Sequence, residues 1–450
     1  KKVSTPSLFT DTIMAGENVF SEENLEGHVI SASGLHTKTL DLHTGVALRS
    51  FEYDDNGRIA KIIDRFGNET ALSRNENCVP VSITSPDGIK TILDIDENNH
   101  LTRIAYADGA TYDFEYNLEG LMTNKIQPEG NQFGHQFDIN GRLALVVDEE
   151  GGNWAYDMDR YANGDTFVQV TSAEGSNRSY RDVTESTGAY TSTITGPAGM
   201  ETFYSRSDDG LRVSKSAPCG MTFSFQNDID SEYQFKFIRE MIETTPAGLE
   251  RITARDKIYT PDYNNGGIDS MIETISVNDK TTTIEDNLKS QKTVTSPEGR
   301  TATMLYNPAT LKTDSISIPG LHETTYGYDD MGRMGSVVTG VRGTTYGYNA
   351  QGFLDSITDA ENNTTGYAYD EIGRVTRIDS PDGSSVWFSY DGNGNMTVLT
   401  SPNVIEHGFG YNKVNLNDFY QTPISGDYSF NYDRDRQLTQ INFPSGKQIN

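Results

Sequence analysis

Tyr326-Gly-Tyr328-Asp329-Asp-Met-Gly332-Arg333, Tyr346-Gly-Tyr348-Asn349-Ala-Gln-Gly352-Phe353, Tyr367-Ala-Tyr369-Asp370-Glu-Ile-Gly373-Arg374 and Phe388-Ser-Tyr390-Asp391-Gly-Asn-Gly394-Asn395 follow one another between Thr324 and Thr400. Their second aromatic positions, Tyr328, Tyr348, Tyr369 and Tyr390, stand 20, 21 and 21 residues apart. Self-similarity at a fixed period marks an array of supersecondary units, each too small to bury its own apolar face and each stacked on its neighbours.

In each unit two aromatics at i and i+2 flank a small residue, Gly327, Gly347, Ala368 or Ser389. In a strand that spacing puts both rings on one face, whereas in a helix it would set them roughly 200° apart. An acid or amide, two variable residues and a glycine follow, which suits a tight turn closed by a residue with positive φ. A second alternating run, such as Arg374-Val-Thr-Arg-Ile378, ends at another turn signal, Ser380-Pro381-Asp382-Gly383. One unit is therefore predicted to be two short strands and two turns. The chain is predicted to be all-β, a β-solenoid or spiral ribbon of units of about 21 residues.

Working outward, the regular beat covers 301–450, continuing at Tyr306, Tyr411 and Tyr432; the last two lack a following Gly-Arg and are placed by spacing. A second regular stretch covers 46–160. There Tyr53, Arg74, Ile95, Tyr116, Phe137 and Met158 stand 21 apart, with turn glycines at Gly67, Gly88, Gly109, Gly130 and Gly151. Over 161–300 the interval lengthens, with glycines at Gly175, Gly199, Gly220, Gly248 and then Gly299. In that last gap Tyr259-Thr-Pro261-Asp-Tyr263-Asn-Asn-Gly266-Gly267 reads either as part of longer, degenerate repeats or as an excursion from the wall within 249–298. Residues 1–45 are an irregular first segment or degenerate repeats. The whole is expected to be one continuous array and a fragment of a longer chain.

The pairing of aromatic-Asp with Gly-Arg at this period is fullest at Tyr53-Asp54 with Gly57-Arg58, Tyr328-Asp329 with Gly332-Arg333, and Tyr369-Asp370 with Gly373-Arg374. It is partial at Gly141-Arg142, at Tyr348 with Gly352, and at Tyr390-Asp391 with Gly394. This pattern resembles the YD repeat of the Rhs family, which includes bacterial polymorphic toxins, the cocoon-forming subunits of Tc toxins and the teneurins. The resemblance implies a hollow shell around a C-terminal toxic domain, released by an aspartyl protease region that follows the repeats. Neither that region nor a toxin domain has a counterpart before Asn450.

A formal charge of −29 argues against a nucleic-acid surface, and the acids, spread along the chain, read as a solvated face or as the lining of an interior. Cys78 and Cys219 are too few for a disulfide scaffold or a Cys-based metal module. No apolar run approaches the roughly 20 residues of a membrane span. His28, His36 and His43 have no carboxylate or Cys spacing that completes a metal set and read as isolated surface or packing histidines. The other four, His100, His135, His322 and His407, sit in no motif that would activate a nucleophile. Asp391-Gly-Asn393-Gly-Asn395 mimics the start of an EF-hand loop, but position twelve is Pro402 where a Glu is needed.

These readings predict no catalytic residue, no cofactor apart from adventitious calcium at acidic turns, and no enzyme. The leading expectation is a secreted or cell-surface shell segment that encapsulates and helps deliver a polypeptide toxin or effector. The alternative is a teneurin-like adhesion or assembly scaffold that binds glycans or other chains.

Overall fold

The structure, a computed structural model, describes residues 2–3, 18–21, 26–262 and 268–450. It is all-β. Among the described residues 41 strands join in one long sheet in which strands adjacent in the chain pair antiparallel.

The repeat centred on Tyr369 shows why the sequence reads as it does. Strand Thr364–Tyr369 pairs with Val375–Asp379, and the register slips between Ala368 and Tyr369, leaving Thr376 as the extra residue of a bulge. The intervening turn is closed by Gly373 N–H donating to the Asp370 carbonyl at 3.2 Å and by Asp370 N–H donating to the Arg374 carbonyl at 3.0 Å. Gly373 sits at φ +94°, the left-handed position that follows a type I turn in a bulged hairpin. Asp370 stabilises the turn from within: one carboxylate oxygen accepts the N–H of Ile372 at 3.1 Å and of Arg374 at 2.9 Å, and the other meets Arg374 Nε. Burial raises the Asp370 carboxyl, but the side-chain and backbone bonds from Arg374, with that from Ile372, outweigh it and hold the group below its ordinary value.

The tyrosine before the acid has a second job. Its hydroxyl donates to the backbone carbonyl 15 residues earlier, on the strand of the preceding hairpin: Tyr369 to Leu354 at 2.7 Å, Tyr390 to Val375 at 2.8 Å, Tyr411 to Met396 at 3.0 Å and Tyr432 to Asn417 at 2.8 Å. Val375, Met396 and Asn417 each flank a bulge, where ladder bonding is interrupted and a carbonyl needs another donor. Burial, and after it the Asp370 charge, raise the Tyr390 phenol above its usual range, so it stays a donor. Replacing Tyr390 with Phe keeps the ring and removes only this bond. Chemical denaturation is expected to show a loss of about 1 kcal/mol, and a loss below roughly 0.3 kcal/mol would mean the hydroxyl is idle.

Left-handed residues recur where the spacing demands them even without glycine. Asn415 at φ 61° and Arg436 at φ 65° close the turns after Tyr411 and Tyr432. Asn278, Asp279 and Leu288 turn the chain between Gly248 and Gly299, where no glycine keeps the beat. Val404, at φ 60° and 80 % exposed, is a β-branched residue in a conformation that costs roughly 1–2 kcal/mol. Val404→Gly should therefore stabilise the protein by about 1 kcal/mol after the entropy of glycine is subtracted. A thermal scan showing destabilisation would contradict this.

Contacts divide the chain into two units. One comprises 1–71, 182–194 and 200–345. It holds the best-buried cluster, in which Val19, Val29, Leu40 and Leu42 from the first strands pack on Tyr233 and Phe235, with Phe237 and Tyr259 at its border. The strands beneath are long: Glu250–Pro261 has 12 residues and Ile268–Val277 has 10, paired through Ile258 and Ile272. Residues 263–267 of the sequence-flagged excursion lie outside the described residues.

The other unit comprises 72–181, 195–199 and 346–450. It has few fully buried side chains, those of Ser82, Val146 and Asp148. Rings and aliphatics are half-buried along a single sheet layer, as expected of a ribbon stabilised through neighbour interfaces.

Candidate functional site

The recurring residues do not converge on one reaction centre. They repeat along rows of turns, and the rows are where distant parts of the chain meet. In the unit of 72–181, 195–199 and 346–450, the residue before each of the turn glycines Gly88, Gly109, Gly130, Gly151 and Gly175 is acidic: Asp87, Asp108, Glu129, Glu150 and Glu174. Each meets an aromatic-Asp type turn some 263 residues further on.

Glu129 Oε1 accepts the Gly392 N–H at 2.7 Å, while its own N–H donates to Asn393 Oδ1 at 3.1 Å. Glu150 Oε1 accepts the Lys413 N–H at 3.1 Å. Glu174 Oε1 accepts from Arg434 Nε at 2.9 Å, and its N–H donates to Asp435 Oδ1 at 3.1 Å. The Asp87 carboxylate lies over Gly352 so closely that a Cβ there would overlap it. Asp108 receives Arg374 Nη2 at 3.1 Å. Carboxylates bound by N–H groups and guanidinium are the stronger class of hydrogen bond.

Arg374 shows how much one repeat residue carries. Beyond Asp370 and Asp108, its Nη1 donates to the Asp391 carbonyl at 3.2 Å, and its guanidinium lies 5.1 Å over the Tyr390 ring. It joins two turns of one row to a turn of the other.

The deepest contact is Asp148 with Arg436. Asp148 accepts Arg436 Nη2 at 2.9 Å and Nε at 3.1 Å, and its side chain is 1 % exposed. The N–H groups of Glu150 and Gly152 supply two more bonds, at 3.1 and 2.7 Å. Arg436 also covers the Trp154 ring at 5.2 Å. Beside it Asn415 Nδ2 donates to Gln127 Oε1 at 2.8 Å.

The other unit carries a sparser version of this seam within itself. Phe66 covers Gly332, where a Cβ would stand 2.5 Å from the ring, and Asn68 Nδ2 donates to the Met331 carbonyl at 3.0 Å. The separation of 263 residues is about twelve and a half repeats of 21, so unlike turns face one another across the seam.

Apart from Gly332 and Gly352, which meet Phe66 and Asp87, the remaining residues flagged from the sequence act within their own turn or on the preceding hairpin. Tyr53 donates to the His36 carbonyl at 2.7 Å, and Tyr328 to the Thr313 carbonyl at 3.0 Å. Asp54 and Asp329 accept the N–H and Nε of Arg58 and Arg333. Gly57, Gly141, Gly332, Gly352 and Gly394 all have positive φ, and Arg142 N–H donates to Asp138. Tyr348 ends strand Arg342–Tyr348. Both oxygens of Asp391 are taken by Asn395, at 2.8 and 2.9 Å. The seam acids and their partners Asn415, Arg434 and Arg436 were not singled out from the sequence, and Gly392 and Asn393 were quoted only in the EF-hand comparison, although acids at intervals of 21 were a readable signal.

Cys78 and Cys219 are not joined in a disulfide. Among the described residues no group of three His, Cys, Asp or Glu side chains converges as a metal set, and no helix is long and apolar enough to cross a membrane.

The family model of the teneurin YD-shell matches residues 16–450. No curated protein sequence matches the chain. Among solved structures, the chain is similar to the crystal structure of TcdB2-TccC3-Cdc42, at 9 % identity and a TM-score of 0.33, covering 97 % of this chain and 40 % of that one. It is also similar to the Tc holotoxin pore of Photorhabdus luminescens, at 12 % identity and a TM-score of 0.43, covering 95 % of this chain and 26 % of that one. The chain thus spans between a quarter and two fifths of the length of these structures.

Proposed function

Because the chain belongs to the teneurin YD-shell family, we propose that it is a stretch of non-catalytic wall that encloses a polypeptide cargo, a toxin or effector, and helps deliver it from a secreted or cell-surface protein. The observation that carries this reading is the seam in the unit of 72–181, 195–199 and 346–450. Single-layer ribbon is joined to ribbon about 263 residues away by carboxylates that reach backbone N–H groups and a guanidinium, which closes the gap a lone strip would leave. A wall needs such joints, and an enzyme pocket does not. The role calls on no cofactor.

A teneurin-like assembly scaffold is the second reading. It is favoured by Leu118 and Ile139, which occupy equivalent places on turns 21 residues apart and are both fully exposed. Exposed apolar tips in register suit a contact with another chain.

Limited proteolysis of the native full-length protein separates the two. Enclosure predicts that a segment outside residues 1–450 survives protease while the wall is intact and is degraded once the wall is unfolded by denaturant. Degradation of every outside segment from the intact particle would overturn enclosure.

A further inference from the structure

In the unit that includes 26–71 and 200–345, the turn after strand His36–Asp41 inserts His43 against two rings, 5.2 Å from Tyr233 edge to face and 6.4 Å from Tyr259. Both of its ring nitrogens are buried and neither has a hydrogen-bond partner. Four charged groups face it: Asp41 from its own turn, Lys257 from strand Glu250–Pro261, Asp286 from Lys280–Asp286 and Lys292 from Gln291–Thr295.

The carboxylates there are already engaged. Asp41 Oδ1 accepts the N–H and hydroxyl of Thr44, each at 2.8 Å. Asp286 accepts the Tyr306 hydroxyl at 2.9 Å and the Leu288 N–H at 2.8 Å through one oxygen, and Lys292 Nζ at 3.1 Å through the other. Asp230, buried nearby, accepts the Tyr259 hydroxyl at 2.7 Å and the Tyr233 N–H at 2.8 Å. A proton added to His43 would therefore enter a buried cluster of rings in which neither ring nitrogen has a hydrogen-bond acceptor in place.

We propose that the layer of strands Glu26–Ile30, His36–Asp41 and Ala47–Tyr53 is an acid-sensitive latch, held on the long strands while His43 is neutral and loosened when acid protonates it. Burial above all lowers the His43 imidazole from 6.5; Lys257 and Lys292 add to this and Asp41 and Asp286 oppose it. The folded state thus refuses a proton that the unfolded layer accepts. The latch is at full strength above pH 6.5 and weakens as pH falls from there toward the folded value.

The neighbouring His36 acts in the same direction. The Nε2 of His36 lies 3.3 Å from His28 Nδ1, and burial, followed by the nearby His28, lowers the His36 imidazole. Such a latch would loosen one patch of wall in an acidified compartment.

Hydrogen exchange read by mass spectrometry on the full chain, corrected for intrinsic rates, tests this. Between about pH 7.5 and about pH 5.5, protection of 26–53 should fall by up to about tenfold per histidine held neutral, while that of 364–400 holds. His43→Phe should remove about one tenfold step. Equal wild-type protection at about pH 7.5 and 5.5, or an unchanged pH dependence in His43→Phe, would overturn the latch. If that variant does not fold, the wild-type imidazole C2–H exchange decides: a midpoint for His43 below 6.5 supports the latch, and one at or above 6.5 overturns it.

Discussion

Arg436→Gln will cost about 3 kcal/mol, while Arg434→Gln, two residues away, will cost less than 1 kcal/mol. Both arginines pair with an acid across the same seam. Arg434 and Glu174 are 56 % and 40 % exposed, so water replaces the lost partner. Asp148 is 1 % exposed, and removing Arg436 leaves a carboxylate in the interior with only the N–H groups of Glu150 and Gly152. Because a ribbon unfolds in pieces, the sharper readout is hydrogen exchange in Leu143–Val147 and Asn153–Arg160, beside Asp148. Equal effects from the two variants would show that burial at Asp148 does not carry the seam.

Gly373→Val and Gly383→Val test backbone strain against crowding within a repeat. Gly383 sits at φ +85° with nothing within 4 Å of an added Cβ, so valine there meets strain alone, roughly 1–2 kcal/mol. Gly373 sits at φ +94°, and a Cβ would stand 2.6 Å from the Phe353 ring, which itself packs 5.1 Å from Tyr369. Crowding should add about 1–3 kcal/mol to the strain. Urea midpoints of the two variants would be compared. A Gly373→Val loss no larger than that of Gly383→Val would mean that Phe353 moves aside freely.

The repeat was legible because its chemistry is local. Asp370, Gly373 and Arg374 complete one turn among themselves, so their spacing recurs wherever that turn does. The tyrosine hydroxyl bond was not legible: its acceptor is a carbonyl made available by a bulge, and any residue can supply that atom. The same holds for Asn415 and Arg436, whose left-handed conformation the flanking strands impose without a glycine to announce it.

The seam was hidden for a different reason. Its acids, Glu129 and Glu150 among them, look like ordinary solvated charge, and their partners are backbone N–H groups 263 residues away. Local periodicity predicts neither the offset nor which turns face one another. His43 is likewise indistinguishable in sequence from a surface histidine; only the packing of Tyr233 and Tyr259 around it shows that both nitrogens are sealed.

The most direct test of the central claim is a cryo-EM map of the full-length native particle. Enclosure predicts a continuous wall of this ribbon around density that the wall itself does not account for. A solid particle, or open ribbons joined edge to edge between molecules with nothing inside, would contradict it.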